Sequence, residues 1–184
     1  MASLGELSRR WRVRLGYPVA LVCFWASRPT AKWLAIGAGI AACGLGLRAA
    51  AAGHLRKHEQ LSTAGPYAYT RNPLYLGSAL LATGFAVAAH SLIVAAILAA
   101  YFGAFYPAVM WGEEQELRAR YGAAFVAYAA RVPLFWPRPI PAGAPHDAGT
   151  RFSWAVYRRN REYRAVLGFV AAIALLWLRM RWRG

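Results

Sequence analysis

The stretch LYLGSALLATGFAVAAHSLIVAAILAAYFGAFYPAVMWG, residues 74–112, decides the fold. It consists of two apolar runs, 74–89 and 92–112, separated only by His90-Ser91. About 20 apolar residues cross the hydrocarbon of a bilayer, so the second run is long enough alone and the first becomes so with its flanks. A two-residue break allows only a reversal, and the pair reads as a tight antiparallel helical hairpin in a membrane. Outward from it lie further apolar runs at 33–53, interrupted only by Arg48, at 15–27 and at 165–178. The first and last are short; each fits a tilted span with snorkelling arginines, or an interfacial or re-entrant helix. The pattern predicts an all-α integral membrane multi-helix bundle with about five transmembrane helices.

Composition excludes the alternatives. Of 184 residues, 59% are apolar and only 16% charged, whereas soluble domains carry about a quarter charged residues. The chain reads as one domain, 1–184, with little room for a separate soluble catalytic unit. Its net charge of +15 comes from basic residues that flank apolar runs, which points to membrane lipids as partners and away from nucleic acid. Arg9, Arg10, Arg12 and Arg14 before the first run resemble the start of a signal peptide, but Ser27-Arg28-Pro29 is a poor cleavage site and another apolar run follows at once. The expectation is an uncleaved first span. Cys23 and Cys43 fall at different depths of adjacent spans, so they read as small buried hydrophobes without a disulfide.

Threading five spans with the N-terminus inside puts seventeen of the 22 basic residues on one side, which makes that side cytoplasmic. After the fourth run, Leu117, Tyr121, Phe125, Tyr128 and Val132 recur at helical spacing between charged faces, the pattern of an amphipathic helix along the cytoplasmic surface. It ends at Val132-Pro133, and a Pro-rich connector, 138–150, leads to a C-terminal helix within 151–184.

Two clusters could carry chemistry. The first is Gly65-Pro66-Tyr67-Ala68-Tyr69-Thr70-Arg71-Asn72-Pro73-Leu74-Tyr75-Leu76-Gly77. Asn72 can cap the third span and Pro73 suits its first turn, so Asn-Pro alone needs no function. Arg71 beside the positive end of a helix, with three tyrosines near, makes an anion site roofed by aromatic rings. The second is Glu113-Glu114-Gln115-Glu116, holding three of only seven acids directly after an apolar span. Such a run is usually a solvated face, yet here it would hold a cation or a ribose. The short hairpin makes the third and fourth spans antiparallel neighbours. Arg71-Asn72 and Glu113-Glu114 therefore meet on one side, in one cleft.

These blocks, followed by Tyr121-Gly122, Phe125, Tyr128 and Val132-Pro133, resemble the isoprenylcysteine carboxyl methyltransferase family; phospholipid N-methyltransferases share much of the pattern. The resemblance covers residues 33–137. It implies a membrane methyltransferase that binds S-adenosylmethionine at the cytoplasmic face, in the inner membrane if the cell is bacterial, and takes a lipid-like or prenylated acceptor from the bilayer. Carried over, it implies cofactor-binding roles for Tyr67, Arg71, Asn72, Pro73, Tyr75, Gly77, Glu113 and Glu114, with Arg71, Glu113 and Glu114 as the catalytic residues. Asn72 stands where many members have histidine, so no acid–base role falls on it. Residues 109–112 lack the arginine that the eukaryotic isoprenylcysteine enzymes carry before the acidic pair.

Methyl transfer is an in-line displacement that positioning and water exclusion can accelerate, and it suits a chain with no triad or nucleophile in view. Gly37-x-Gly39-x-x-Ala42 lies inside a span without a preceding strand, so it reads as small-residue helix packing, as do Gly77 and Gly84. His54, His58 and Glu59 have metal-like spacing but too few companions, and no metal is expected. Arg48 is either functional or reaches the interface. Residues Trp154, Asn160, Arg161, Glu162 and Tyr163 read as an interfacial anchor or as a closure for the cleft. The rival classes are a sterol-reductase-like NADPH oxidoreductase and a non-enzymatic lipid-binding protein.

Overall fold

The computed structural model describes residues 4–56, 59–142 and 151–183. It is all-helical over them: α1 (Leu4–Ala26), α2 (Ala31–His54), a 3-10 turn (Gly65–Ala68), α3 (Pro73–Ala89), α4 (Leu92–Ala129), α5 (Trp154–Arg159) and α6 (Tyr163–Arg183). Three segments, Ala31–His54, Leu92–Ala129 and Tyr163–Trp182, are long and apolar enough to cross a membrane, and the shorter apolar helices Arg14–Ala26 and Pro73–Ala89 pack beside them.

α2 and α3 form the tightest pair, and glycine is the reason. A Cβ on Gly37 would lie 2.4 Å from backbone atoms of Gly84 and Ala88, and one on Gly44 would lie 2.6 Å from the carbonyl of Gly77. The backbones touch antiparallel, which in lipid replaces the missing hydrophobic drive with van der Waals contact. The expected hairpin is present: His90 takes the left-handed conformation that ends α3, and the Ser91 side chain accepts from the amide of Val94. Cys23 of α1 packs with Ala89 and Val94 around this reversal.

Several expectations are corrected. The last helix is not short: α6 has 21 residues. Its start lies against α2 through Glu162 and Arg48, while Leu176 packs with Leu34 and Ala88 at the far end, so it runs the length of the bundle. Arg179 cuts the apolar run short in sequence, but it donates from Nη2 to the carbonyl of Trp25 at 3.0 Å, serving the C-terminal end of α1. The amphipathic stretch begins as a continuation of α4 through the glutamates, and a kink at Gly122, whose φ of 50° and ψ of −124° break the helical path, sets off its last part, residues 123–129. Cys43 is exposed on the outer face of the bundle, unlike buried Cys23.

Arg48 does not reach the interface. It pairs with Glu162 at 2.5 Å, donates to the carbonyl of Leu74 at 3.2 Å and bonds the Ser78 hydroxyl, tying α2, α3 and the α5–α6 junction together. Asn160 donates to the carbonyls of Ala52 and Leu55 and closes the end of α2. Within the supposed anchor, Asn160 and Glu162 are thus internal fastenings, and Trp154, Arg161 and Tyr163 face outward. His58 and residues 143–150 of the connector lie outside the described residues.

Candidate active site between the ends of α3 and α4

The site begins with a loop that cannot deviate. Gly65 has φ of +60° with the His54 ring 2.7 Å from where a Cβ would stand, so only glycine allows the turn. The next residues are strapped down by residues 133–142. Arg71 N–H donates to the carbonyl of Pro133 at 2.9 Å, Arg138 N–H to Tyr69 at 3.0 Å and Ala142 N–H to Ala68 at 2.9 Å. Thr70 Oγ1 donates to the carbonyl of Phe135 at 2.9 Å. Asn72 sits at the N-cap of α3, but its side chain does not cap the helix; Nδ2 donates to the carbonyl of Leu134 at 3.0 Å. A stretch read as connector is in part the clamp that aims Arg71.

Opposite stands α4. Arg71 Nε lies 2.8 Å from Glu114 Oε1, both side chains largely buried, and Arg71 Nη1 donates to the carbonyl of Ala129 at 3.1 Å. The Arg71–Glu114 contact is an ion pair without hydrogen-bond alignment. Tyr75 donates its hydroxyl to Glu113 Oε1 at 2.5 Å. Tyr128 donates to the carbonyl of Tyr67 at 2.8 Å, and Phe125, Tyr128 and Val132 form a small core that covers the loop.

Between these elements is a cleft of about 290 Å³, near the lower bound of ligand pockets. Tyr67, Arg71, Asn72, Pro73, Tyr75, Glu113 and Glu114 all line it. Gly77 does not: it faces α2, its Cβ position 2.6 Å from Arg48 Cγ, so it serves helix packing. Sequence reasoning missed Arg120 and the loop residues Leu55, Arg56, Gln60, Leu61 and Ser62, which also line the cleft. Arg120 stands seven residues after Glu113 on the same helix face, a spacing that could have revealed it; the loop residues carry no such signal.

Burial pushes the Tyr67 phenol well above the usual tyrosine range, reinforced by Tyr128, Glu113 and Glu162 and opposed by Arg48. Burial does the same to Tyr128, where Arg71 opposes and Glu114 reinforces. Both rings are therefore neutral walls. The donors are a guanidinium, two carboxylates and phenols, able to take a carboxylate, a ribose or ammonium group, and an aromatic base. That set matches the parts of S-adenosylmethionine.

Fold and site together define a helical integral membrane protein with a polar cleft at one end of an α-helical hairpin. Residues 35–124 match the phospholipid methyltransferase family, within the superfamily of membrane methyltransferases that joins phospholipid and isoprenylcysteine carboxyl methyltransferases. The chain is 35% identical over 139 residues to the cobalt-zinc-cadmium resistance protein CzcN of Cupriavidus metallidurans, covering 70% of this chain and 62% of that protein. It is 41% identical over 83 residues to the nickel-cobalt-cadmium resistance protein NccN of Alcaligenes xylosoxydans xylosoxydans, covering 45% of this chain and 38% of that protein. The matches thus span less than two thirds of either relative. No solved structure matches the chain.

Proposed function

We propose that the protein transfers a methyl group from S-adenosylmethionine to a lipid-like or prenylated acceptor at the cytoplasmic face of the membrane. The observation that carries this is the meeting of Arg71 with Glu114 and of Tyr75 with Glu113 in one cleft at the end of the α3–α4 hairpin. Arg71 and Arg120 would hold the carboxylate of the cofactor, Glu113 and Glu114 its ammonium or ribose, and the neutral Tyr67 and Tyr128 rings its base. When bound, the cofactor supplies an electrophilic methyl on a sulfonium.

The residues of this chain do the rest. Leu117, Tyr121 and Phe125 cover the aqueous side and exclude water, which would compete with the acceptor. Arg71 and Glu114 fix one wall of the cleft and Tyr75 and Glu113 another, so the reaction gains chiefly from orientation. A carboxylate acceptor reaches such a site already ionised and needs no base.

Phospholipid N-methylation is the second reading, favoured by the family match to residues 35–124. An amine acceptor must be neutral to attack, and Glu113, within reach of the Tyr75 hydroxyl, would take the proton. The metal resistance named for the two relatives enters this reading as a consequence of altered lipid headgroups.

The test is tritiated-methyl transfer into the lipid fraction of membrane extracts, compared with NADPH consumption in the same extracts. Transfer that depends on Glu114, without NADPH turnover, is the expected result. NADPH consumption without methyl transfer would favour the reductase class. Absence of binding to either cofactor by the purified protein would favour a lipid-binding role.

A further inference from the structure

The loop after α2 supplies Leu55, Arg56, Gln60, Leu61 and Ser62 to the wall of the cleft. Its backbone is fastened on both sides of Arg56. The Arg56 amide donates to Ser62 Oγ at 3.4 Å, and the buried Ser62 hydroxyl donates in turn to the carbonyl of His54 at 3.2 Å. The Arg56 carbonyl accepts from the amide of Glu59 at 3.3 Å. The peptide that precedes it is gripped from the C-terminal segment: Asn160 Nδ2 donates to the carbonyls of Ala52 and Leu55, each at 2.9 Å. Around Asn160 the same segment adds a bond from the Ser153 amide to the Gly53 carbonyl at 3.1 Å and an ion pair of Arg159 with Glu59 at 2.8 Å. This clasp lies beyond residues 35–124, the part of the chain that the family match covers.

The side chain of Arg56 contrasts with its backbone. It is half-buried at the cleft wall, and its guanidinium has no hydrogen-bond or ion-pair partner among the described residues. Arg71, by comparison, pairs with Glu114 and donates to the Ala129 carbonyl, while Glu113 accepts from Tyr75. Removing a cation partly from water without a partner costs free energy, so a guanidinium fixed at its base and unpaired at its head is preorganised for an anion. The groups assigned above to S-adenosylmethionine leave Arg56 over. A bound sulfonium would add further positive charge, so the space that remains favours a negatively charged head.

We infer that Arg56 selects the acceptor by binding an oxyanion at its head, phosphate or carboxylate, and that Asn160 is a positioning residue that acts on Arg56 through the Leu55–Arg56 peptide. That the anion belongs to a methyl acceptor rests on the methyltransferase reading of the cleft; the binding itself does not. A head group that carries only positive charge is turned away by Arg56. Because Asn160 reaches the cleft through one peptide, its loss acts on the anion and leaves the Arg71–Glu114 side of the cleft in place.

Calorimetry on the full chain in a neutral detergent decides it, with hexyl phosphate, hexanoate and hexyltrimethylammonium as probes, with and without S-adenosylhomocysteine. The anions should bind and the ammonium should not. Tighter binding of hexyl phosphate assigns a phosphate-bearing acceptor, and tighter binding of hexanoate a carboxylate. Arg56→Gln should weaken the preferred anion roughly ten-fold or more, the loss of a charged hydrogen bond, and Arg56→Lys should restore part of it. Arg118→Gln, an exposed arginine of α4 outside the cleft wall, should change nothing. Wild-type affinity in Arg56→Gln, an equal loss in Arg118→Gln, or equal binding of the ammonium probe overturns the anion site. Asn160→Ala should weaken the anion several-fold in the wild-type background and not at all in Arg56→Gln, with S-adenosylhomocysteine affinity unchanged, and Asn160→Ser, which keeps a donor, should fall between. Equal losses of anion and S-adenosylhomocysteine in Asn160→Ala, or additive losses in the double variant, overturn the positioning role. A wild type that binds the anion through Arg56 but no S-adenosylhomocysteine overturns the methyltransferase reading and leaves the anion site standing.

Discussion

Arg71, on the loop entering α3, and Glu114, on α4, meet at 2.8 Å across the mouth of the cleft, 43 positions apart in the chain and in an ion pair that lacks hydrogen-bond alignment. Arg71 is also held from behind, by the carbonyls of Pro133 and Ala129 through its amide and Nη1. The pair is thus fixed in place while keeping capacity to bond a ligand, which is the arrangement a preorganised binding site requires.

Removing either charge should weaken cofactor binding. Glu114→Ala and Arg71→Ala are each expected to reduce S-adenosylhomocysteine affinity in detergent by about 1.5 to 3 kcal/mol, the worth of a charged hydrogen bond. The double variant should lose less than the sum, because the two side chains interact. Calorimetry giving wild-type affinity for Glu114→Ala would remove that residue from the site.

The α2–α3 contact should be intolerant at one glycine and tolerant two residues away. Gly37→Ala drives a methyl into the backbone of α3, whereas a methyl on Gly39 would meet nothing within 4 Å. Overpacking costs typically about 1 to 3 kcal/mol. The thermal midpoint in detergent should fall for Gly37→Ala and hold for Gly39→Ala; equal midpoints would mean that the helices do not touch there.

Alkaline stability should report the buried phenols. Tyr67 and Tyr128 ionise above their ordinary value in the folded chain, and near about pH 10 in the unfolded one. Above that pH the folded state binds more protons than the unfolded, so stability falls as pH rises; below it the contribution is fully present. Tyr67→Phe should lessen the alkaline loss. Parallel decline of variant and wild type in thermal melts from about pH 8 to 11 would clear Tyr67 of the effect.

Orientation follows from charge. In a chain with Cys23 and Cys43 replaced by alanine, Gln60→Cys at the cleft end should resist an impermeant thiol reagent in intact cells and react after lysis. Leu92→Cys, exposed at the opposite end, should react before lysis. The reverse pattern would invert the protein in the membrane.

The sequence by itself determined the hairpin of residues 74–112, because a bilayer permits only helices of a certain length and a two-residue break permits only reversal. From that hairpin alone followed the meeting of Arg71 with the acidic pair, and small-residue spacing marked Gly37 and Gly84 as helix-packing positions without pairing them. Tertiary structure alone decided what depended on distant partners. Asn72 turned from capping α3 to the carbonyl of Leu134, 62 residues away, and Arg48 found Glu162 at a separation of 114. Gly77 faced α2 and not the cleft because Gly44 and Arg48 occupy that side. The last helix ran the whole bundle although Arg179 interrupts its apolar run, since the C-terminal carbonyl of α1 receives that charge. Helical period and span length are local properties that a sequence displays, whereas a hydrogen bond between far segments leaves no period; it exists only once packing has brought donor and acceptor together.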